Sequence, residues 1–228
     1  MRNPTSHGMR ISAHAASLPR RDMLIMGSLL ALLPGCKIVR NGVADKTDPQ
    51  KPDTFDANAY VDSLWPKVST FFQAQAHDLS TVLAGLAKDA DAADKAYGQP
   101  PAADGGAWTF AVKGQGRVTQ SDSKSARGTL TLALPNVSSP VILQVGPVVF
   151  GSAIRDCLPF LDFATFVNQI EYAEVSHALN AKAIADIRHG VDFGALVGKT
   201  VTFSGGMADP AASGETDVTP VTLVVSGA

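Results

Sequence analysis

Hydrophobic residues follow three different patterns along the 228-residue chain. An almost unbroken apolar run of about eleven residues lies between Met23 and Leu33. Between Phe55 and Tyr97, apolar residues recur every three or four positions, the spacing of one face of a helix. From Ala107 onward they alternate with polar residues, which is typical of half-buried strands. The patterns predict a short leader, then a helical segment, then a sheet.

The helical segment is predicted over residues 55–98 and divides into three helices. An aspartate stands before each of the first two as a candidate N-cap, because its carboxylate can accept free backbone N–H groups: Asp56 and Asp78. The third helix is predicted from Asp89 to Tyr97. The first helix carries its apolar face on Tyr60, Leu64, Val68, Phe71 and Phe72. Pro66 is expected to kink or split that helix, and Gly98 is expected to end the third.

The strand pattern occupies residues 106–228. Trp108, Phe110 and Val112 alternate with polar neighbours, and Gly114 and Gly116 indicate a bend in this first strand. Further strands are predicted at 130–134, 141–150, 199–204 and 218–225, with a mostly helical stretch at 154–187 between the third and fourth. This order predicts an α+β protein in which a five-stranded OB-like Greek-key barrel follows the helical segment. An open antiparallel sheet with helices is the alternative.

The leader, residues 1–35, has the features of a signal peptide. Its apolar run is too short for a membrane span, which needs about 20 residues, and suits the hydrophobic region of an export signal. Basic residues precede the run, and Arg20-Arg21 within Pro19–Leu24 resembles a twin-arginine signal, although Pro19 and Met23 depart from the usual pattern. Export by the general secretory route is the alternative.

Cys36 ends a lipobox-like stretch, Leu33-Pro34-Gly35-Cys36. Cleavage before this cysteine would leave it as an acylated N-terminus, and two or more acyl chains make membrane anchoring stable. A simple signal with an incidental cysteine is the alternative. The polar stretch 36–54 is predicted to be a tether. The predicted location is therefore the periplasm, with palmitate-type acyl chains on Cys36 in the inner or the outer membrane.

Charge limits the classes of partner. The whole chain has 19 basic and 21 acidic residues, a net charge of −2. Loss of residues 1–35 removes four arginines and one aspartate, which leaves a net charge of −5. An acidic chain offers no electrostatic footprint for nucleic acid. No nucleotide-binding loop, CxxC, HExxH or Gly-x-Ser-x-Gly motif occurs, so we expect no cofactor and no enzymatic activity.

One stretch concentrates polar groups among apolar ones, and it supplies six candidate ligand-binding residues: Arg155, Asp156, Asn168, Gln169, Glu171 and Tyr172. An arginine with carboxylates, amides and a tyrosine provides the donors and acceptors that suit a sugar or another polyol. On a continuous helix, Asn168, Glu171 and Tyr172 would share one face. The alternative is that these groups cap helix ends and hold the helix against the sheet.

Other chemistry has weaker support in the sequence. Glu174 and His177 could share a helix face in a metal site, but the second such pair, Asp186 and His189, falls about 120° away around the helix. We therefore expect a solvated polar face and no metal. A hydrolase would need His177 or Glu171 beside a nucleophile. Cys157 is expected to be a buried apolar residue.

Several short motifs together resemble a family of predicted bacterial periplasmic lipoproteins of unknown function: Gly35-Cys36-Lys37-Ile38-Val39, Tyr60-Val61-Asp62-Ser63-Leu64-Trp65, Lys95-Ala96-Tyr97-Gly98, Gln144-Val145-Gly146-Pro147 and Asn168-Gln169-Ile170-Glu171-Tyr172-Ala173. The last is the most specific. The resemblance extends from Cys36 to about Val225. It implies a gene often found beside ribose-type sugar ABC transporters, and it implies no assigned site residues.

Two functions are expected from these observations. The first is a non-enzymatic lipoprotein, anchored to the membrane through Cys36, that binds a small polar ligand or assists components of a sugar ABC transporter. The second is an envelope structural or interaction module without a small ligand, with an exposed apolar patch expected on the helices between Phe55 and Tyr97.

Overall fold

Three helices begin the part of the chain that the computed structural model describes, which is residues 55–101 and 106–226. They are α1 (Ala57–Gln75), α2 (Leu79–Lys88) and α3 (Ala90–Tyr97). The predicted caps are confirmed, because carboxylate oxygens of Asp56 and Asp78 each accept a backbone N–H of the following turn. Asp89, predicted as the first residue of the third helix, is instead its N-cap and accepts the Ala92 N–H. The predicted leader, Cys36 and the tether to residue 54 lie outside the described residues.

Helix α1 continues through Pro66, so the prediction that this proline splits the helix is wrong. A proline removes one intrahelical hydrogen bond. Val61, Val68 and Phe72 are almost completely buried on both sides of it, and this burial offsets the lost bond.

Seven strands form one sheet: β1 (His77–Asp78), β2 (Gly98–Gln99), β3 (Thr109–Asp122), β4 (Thr129–Ala133), β5 (Val141–Gln144), β6 (Thr200–Ala208) and β7 (Thr216–Ser226). The five longer strands pair in the order β3-β4-β5-β7-β6, and β6 pairs again with β3. Pairing is antiparallel except at β5–β7 and β1–β3. The α+β prediction is confirmed, and the sheet is mixed rather than purely antiparallel.

Strand β5 ends at Gln144, whereas the sequence pattern predicted a strand to Phe150. The chain leaves the ladder at Gly146, whose N–H donates to the Arg127 carbonyl at 3.0 Å. A Cβ at Gly146 would lie 2.2 Å from that oxygen, so only glycine allows this backbone approach. The irregular segment that follows carries Phe150 away from the sheet.

The predicted helix at 154–187 consists of two helices, α4 (Ala153–Asp156) and α5 (Gln169–Arg188), separated by twelve residues. Pro159 contributes to the interruption, because a proline disfavours helical geometry in the residue before it. A 3-10 turn, Phe163–Thr165, lies inside the interruption. The short helix α6 (Pro210–Ser213) connects β6 and β7.

Two hydrophobic clusters form the core, and α5 contributes to both. Its first turns pack with α1 and α4 through Val175 and Leu179. Its last turns pack among the strands through Ile184 and Ile187. Within the described residues, no helix has both the length and the apolar character that membrane crossing requires.

Candidate functional site

A cleft of about 570 Å³ lies beside the first residues of β7, and most of its wall comes from four parts of the fold. Strand β7, the segment after β5, helix α4 and the segment before β3 surround it. We call it the β5–β7 cleft. The side chains that matter for its chemistry are Gln144, Phe150, Ser152, Arg155, Asp156, Ser213, Asp217 and Thr219. Its lining is mainly apolar and presents two carboxylates and an aromatic ring.

Arg155 and Asp156 project from α4 and hold each other. Arg155 Nε donates to Asp156 Oδ1 at 2.7 Å, and its terminal nitrogen lies 2.6 Å from the same oxygen. Ser152 Oγ donates to the other carboxylate oxygen. Charge-assisted bonds of this kind fix side-chain geometry, so the Asp156 carboxylate is held in one orientation at the cleft wall.

Gly206 of β6 determines how closely α4 can approach the sheet. A Cβ at this position would lie 2.6 Å from the Ala153 carbonyl carbon and 2.8 Å from the Ile154 nitrogen. Helix α4 therefore rests directly on the backbone of β6. This contact sets the distance between Asp156 on α4 and Asp217 on the neighbouring strand β7.

Asp217 was not predicted from the sequence. Its carboxylate Oδ2 pairs with the Arg127 guanidinium, which belongs to the turn between β3 and β4. Burial raises the pKa of the Asp217 carboxyl, while the charge of Arg127 opposes that rise. Among the described residues, Asp217 Oδ1 and Arg127 Nε are buried and lack a hydrogen-bond partner. This ion pair therefore keeps one acceptor and one donor free.

Gln144, also missed from the sequence, positions Phe150 at the cleft. The Gln144 side chain is 4% exposed. Its amide accepts the Phe150 N–H at 2.9 Å and donates to the Phe150 carbonyl at 3.3 Å. The Phe150 side chain itself is 62% exposed. The backbone of Phe150 is thus held in place, and its ring lies at the rim of the cleft, 6.0 Å from the Arg127 guanidinium.

Three of the six predicted residues serve the start of α5 and do not line the cleft. Asn168 is the N-cap and accepts the N–H groups of Ile170 and Glu171. The Glu171 carboxylate accepts the Val167 N–H, and Gln169 is exposed. The expected helix face of Asn168, Glu171 and Tyr172 is wrong, because Asn168 precedes the helix. Here the alternative interpretation, helix capping, describes the structure.

Tyr172 lies between the two groups of residues. It lines a neighbouring cavity of about 270 Å³ together with Asp156. Arg155 Nη1 donates to the Tyr172 carbonyl at 3.2 Å. Burial raises the pKa of the Tyr172 hydroxyl, and the nearby Arg155 charge partly opposes this. The structure therefore brings Arg155, Asp156 and Tyr172 together.

The remaining candidate groups are dispersed. Glu174 and His177 are exposed in a shallow groove beside Phe55. In the part of the chain that the structure describes, no group of three or more His, Cys, Asp or Glu residues could hold a metal ion. The Cys157 side chain is fully buried, and burial raises its pKa to about 12.

A weak signal for the missed residues exists in the sequence. Gln144 and Asp217 are polar residues in stretches that are otherwise apolar or neutral, residues 141–145 and 216–221. A polar side chain at a buried position needs a partner or a ligand. The sequence does not show whether Gln144 and Asp217 have a protein partner or a ligand. Their partners in the structure, Phe150 and Arg127, are not adjacent to them in sequence.

Comparisons with known proteins agree with this architecture. A family model described as predicted periplasmic lipoprotein (DUF2291) matches residues 26–224. A solved crystal structure of an OB-fold protein from Thermotoga maritima is similar with a TM-score of 0.59 and 17% sequence identity, covering 76% of this chain and 99% of that chain. At this identity the likeness concerns the fold alone. None of the curated proteins matches the sequence.

Proposed function

The chain belongs to the DUF2291 family of predicted periplasmic lipoproteins, and from this premise we propose that it is a non-enzymatic binding protein for a small hydroxyl-rich ligand. The ligand binds in the β5–β7 cleft, and the protein is exported by its signal peptide and held in the membrane through acylated Cys36. The observation that carries the ligand proposal is the Arg127–Asp217 pair, which leaves a buried donor and a buried acceptor unpartnered beside the cleft.

A hydroxyl group suits this pair because it donates and accepts at once. Buried polar groups are almost always hydrogen-bonded in folded proteins, to protein, water or ligand. A sugar or polyol can donate to Asp217 Oδ1 and to the Asp156 carboxylate. The exposed Phe150 ring adds an apolar surface at the rim, which matches the usual composition of ligand sites.

The fold supports a binding role. We infer that β3 to β7 form an OB-like barrel, because the pairing circuit returns from β6 to β3 and the similar solved structure is an OB-fold protein. OB-folds bind oligosaccharides and oligonucleotides beside the loops between strands 1 and 2 and between strands 4 and 5. Arg127 and Glu215 belong to the corresponding segments of this chain, with their charged groups 4.0 Å apart.

A role beside a sugar ABC transporter fits the same ligand chemistry. The sequence resemblance to proteins encoded near ribose-type transporters favours it, and a membrane anchor would hold the cleft close to a transporter. In this proposal the protein presents or senses the sugar and performs no chemistry on it.

Ligand-dependent thermal unfolding tests the ligand proposal. The chain is titrated with D-ribose, D-xylose, D-glucose, D-galactose, myo-inositol and adenosine. A ligand that binds only the native state raises Tm with concentration. We expect a saturable Tm increase with at least one probe. The increase should be lost in Asp217→Asn and Asp156→Asn and retained in the matched control Glu174→Gln, an exposed acid outside the cleft.

Two results would contradict the proposal. The first is the absence of any Tm increase with all six probes. The second is an equal increase in wild type and in both cleft variants, since the ligand would then bind elsewhere. Circular dichroism of each variant separates lost binding from lost folding.

A further inference from the structure

Three large apolar side chains are exposed within eight residues: Phe163 at 39%, Val167 at 88% and Ile170 at 71%. Scattered exposed apolar residues are common, whereas a contiguous group indicates an interaction surface. The described residues of the Phe55–Tyr97 segment, where such a patch was expected, contain no exposed large apolar side chain. We call the group the Phe163–Ile170 surface.

Aromatic rings support this surface from below. Phe163 and Phe166 contact the Tyr172 ring, with centroids 5.4 Å and 5.3 Å away. Phe166 also contacts the rings of Tyr60 and Phe55 at 5.7 Å and 6.0 Å. The backbone is fixed as well, since Asn168 caps α5 between the two most exposed side chains. The apolar side chains are therefore presented by a rigid base.

Val167 does not fold back onto its own helix. A hydrophobic residue directly before an N-cap often packs against the fourth helical residue, which here is Tyr172. Val167 remains 88% exposed instead. Its side chain, like that of Ile170, is available to something outside the described residues.

The position of Phe55 indicates which partner contacts the Phe163–Ile170 surface. The described part of the chain begins at Phe55, and the Phe55 ring packs on Phe166 directly under the surface. Cys36 precedes Phe55 by 19 residues, which reach about 65 Å at full extension. The connection to Cys36 therefore joins the domain next to this surface, and a bilayer that holds the anchor lies within reach of it. Tethering also makes a weak contact effective, because it raises the local concentration of the partner.

The charged residues near this surface indicate how it would contact a membrane. Residues 160–174 contain Asp162, Glu171 and Glu174 and no lysine or arginine. Attraction to anionic headgroups requires basic residues. Of the described basic residues, Arg155, which is paired with Asp156, and Lys67, which lies over the Phe160 ring, contact this segment. We therefore expect contact to come mainly from insertion of apolar side chains into the interface. We propose that the Phe163–Ile170 surface docks on the lipid bilayer that holds the anchor and orients the domain on it. The proposal rests on the proposed anchorage at Cys36 and is independent of the ligand.

Brominated lipids provide the test. The chain from Cys36 to Ala228 is coupled through Cys36 to a maleimide lipid in phosphatidylcholine vesicles, which enforces anchorage whatever the natural acylation. Cys157 is buried and does not compete. The wild-type chain contains Trp65 and Trp108, so contact is measured as the quenching by dibrominated acyl chains that Ile170→Trp or Val197→Trp adds to the wild-type value. Val197 is a matched control, 56% exposed, and follows the opposite end of α5, which is about 30 Å long.

We expect at least twofold stronger quenching at Ile170→Trp than at Val197→Trp, unchanged by salt or by added anionic lipid. Hydrogen exchange of the wild-type chain provides a second measurement, with slower exchange over residues 163–171 after coupling and no change in the coupled double variant Val167→Glu/Ile170→Glu. Equal quenching at both sites, no quenching, unchanged exchange, or a requirement for anionic lipid would overturn docking. A failure of the sugar titration would leave these results unaffected.

Discussion

The guanidinium carbon of Arg155 lies 3.8 Å from the centre of the Tyr172 ring, and Arg155 also donates to the Tyr172 carbonyl. A residue of α4 is thereby held to the first turn of α5 by both ring and backbone. The same arginine binds Asp156. Through Arg155, the Tyr172 ring thus positions the Asp156 carboxylate in the β5–β7 cleft. Tyr172 itself does not line that cleft.

Two replacements of Tyr172 should distinguish the contribution of its ring to stability from that of its hydroxyl. Tyr172→Phe keeps the ring over Arg155 and loses only a 3.4 Å bond to the Leu161 carbonyl, so we expect a cost of about 0.5 kcal/mol. Tyr172→Leu loses the cation–π contact and the aromatic pairs, and we expect about 2 kcal/mol. Urea unfolding measures both. Equal costs would mean that the ring contact contributes nothing.

Asn168 should act on stability and not on ligand binding. Loss of the N-cap in Asn168→Ala should destabilise the protein by about 1 kcal/mol, within a usual range of about 0.5–2. Asn168→Asp keeps the accepting oxygen and should cost a few tenths. Asn58→Ala, an exposed residue of α1, is the control. A loss of sugar-dependent Tm increase in folded Asn168→Ala would contradict the assignment of this residue as a cap.

Gly206→Ala should disturb the β5–β7 cleft by displacing helix α4, which forms part of its wall. The added methyl group meets the backbone of α4, and overpacking of this kind typically costs about 1–3 kcal/mol. Because α4 must move, we expect weaker ligand protection as well. Gly194→Ala is the control, since its Cβ would meet only side-chain atoms, the nearer one at 3.3 Å. The free energy of unfolding and the ligand-dependent Tm increase are measured for both variants. Equal values for Gly206→Ala and Gly194→Ala would contradict the close contact between Gly206 and α4.

Asp94 should make stability depend on pH. It is 8% exposed, its Oδ1 lacks a partner among the described residues, and burial, with the charges of Asp209 and Asp91, raises its pKa above 3.8. A carboxyl with a raised folded-state pKa stabilises the fold fully below its unfolded pKa, and this contribution is lost as pH rises through the folded value. Asp94→Asn should therefore raise Tm at pH 7 relative to wild type and raise it less at pH 4.

Thermal unfolding of Asp94→Asn and of the exposed-acid control Glu174→Gln at both pH values measures this effect. The control should show little change at either pH. A Tm of Asp94→Asn that falls below wild type at pH 7 would mean that the carboxylate is hydrogen-bonded and not merely buried.

Local sequence signals predicted the helices of the first segment well. Asp56 and Asp78 act over three residues, so these two caps can be predicted without knowledge of the fold. The strand after Ala107 could likewise be predicted from a local signal, the alternation of its residues. The errors arose where tertiary contacts decide, as at Gly146, where the backbone of Arg127 draws the chain away from β5.

The candidate site was less predictable for the same reason. Arg155 and Asp156 are adjacent in sequence and were found together. Asp217 owes its role to Arg127, 90 residues earlier, and no periodicity reveals such a pair. Asn168 was misassigned because composition alone does not distinguish a helix cap from a ligand-binding amide.

The sharing of α5 between the two hydrophobic clusters has a thermodynamic consequence. Val175 and Leu179 belong to one cluster, and Ile184 and Ile187 belong to the other. Neither cluster can lose its structure while the 20-residue helix remains intact. Unfolding should therefore be a single cooperative transition, in which the helical layer and the sheet melt at one temperature and the cleft between them disappears with both.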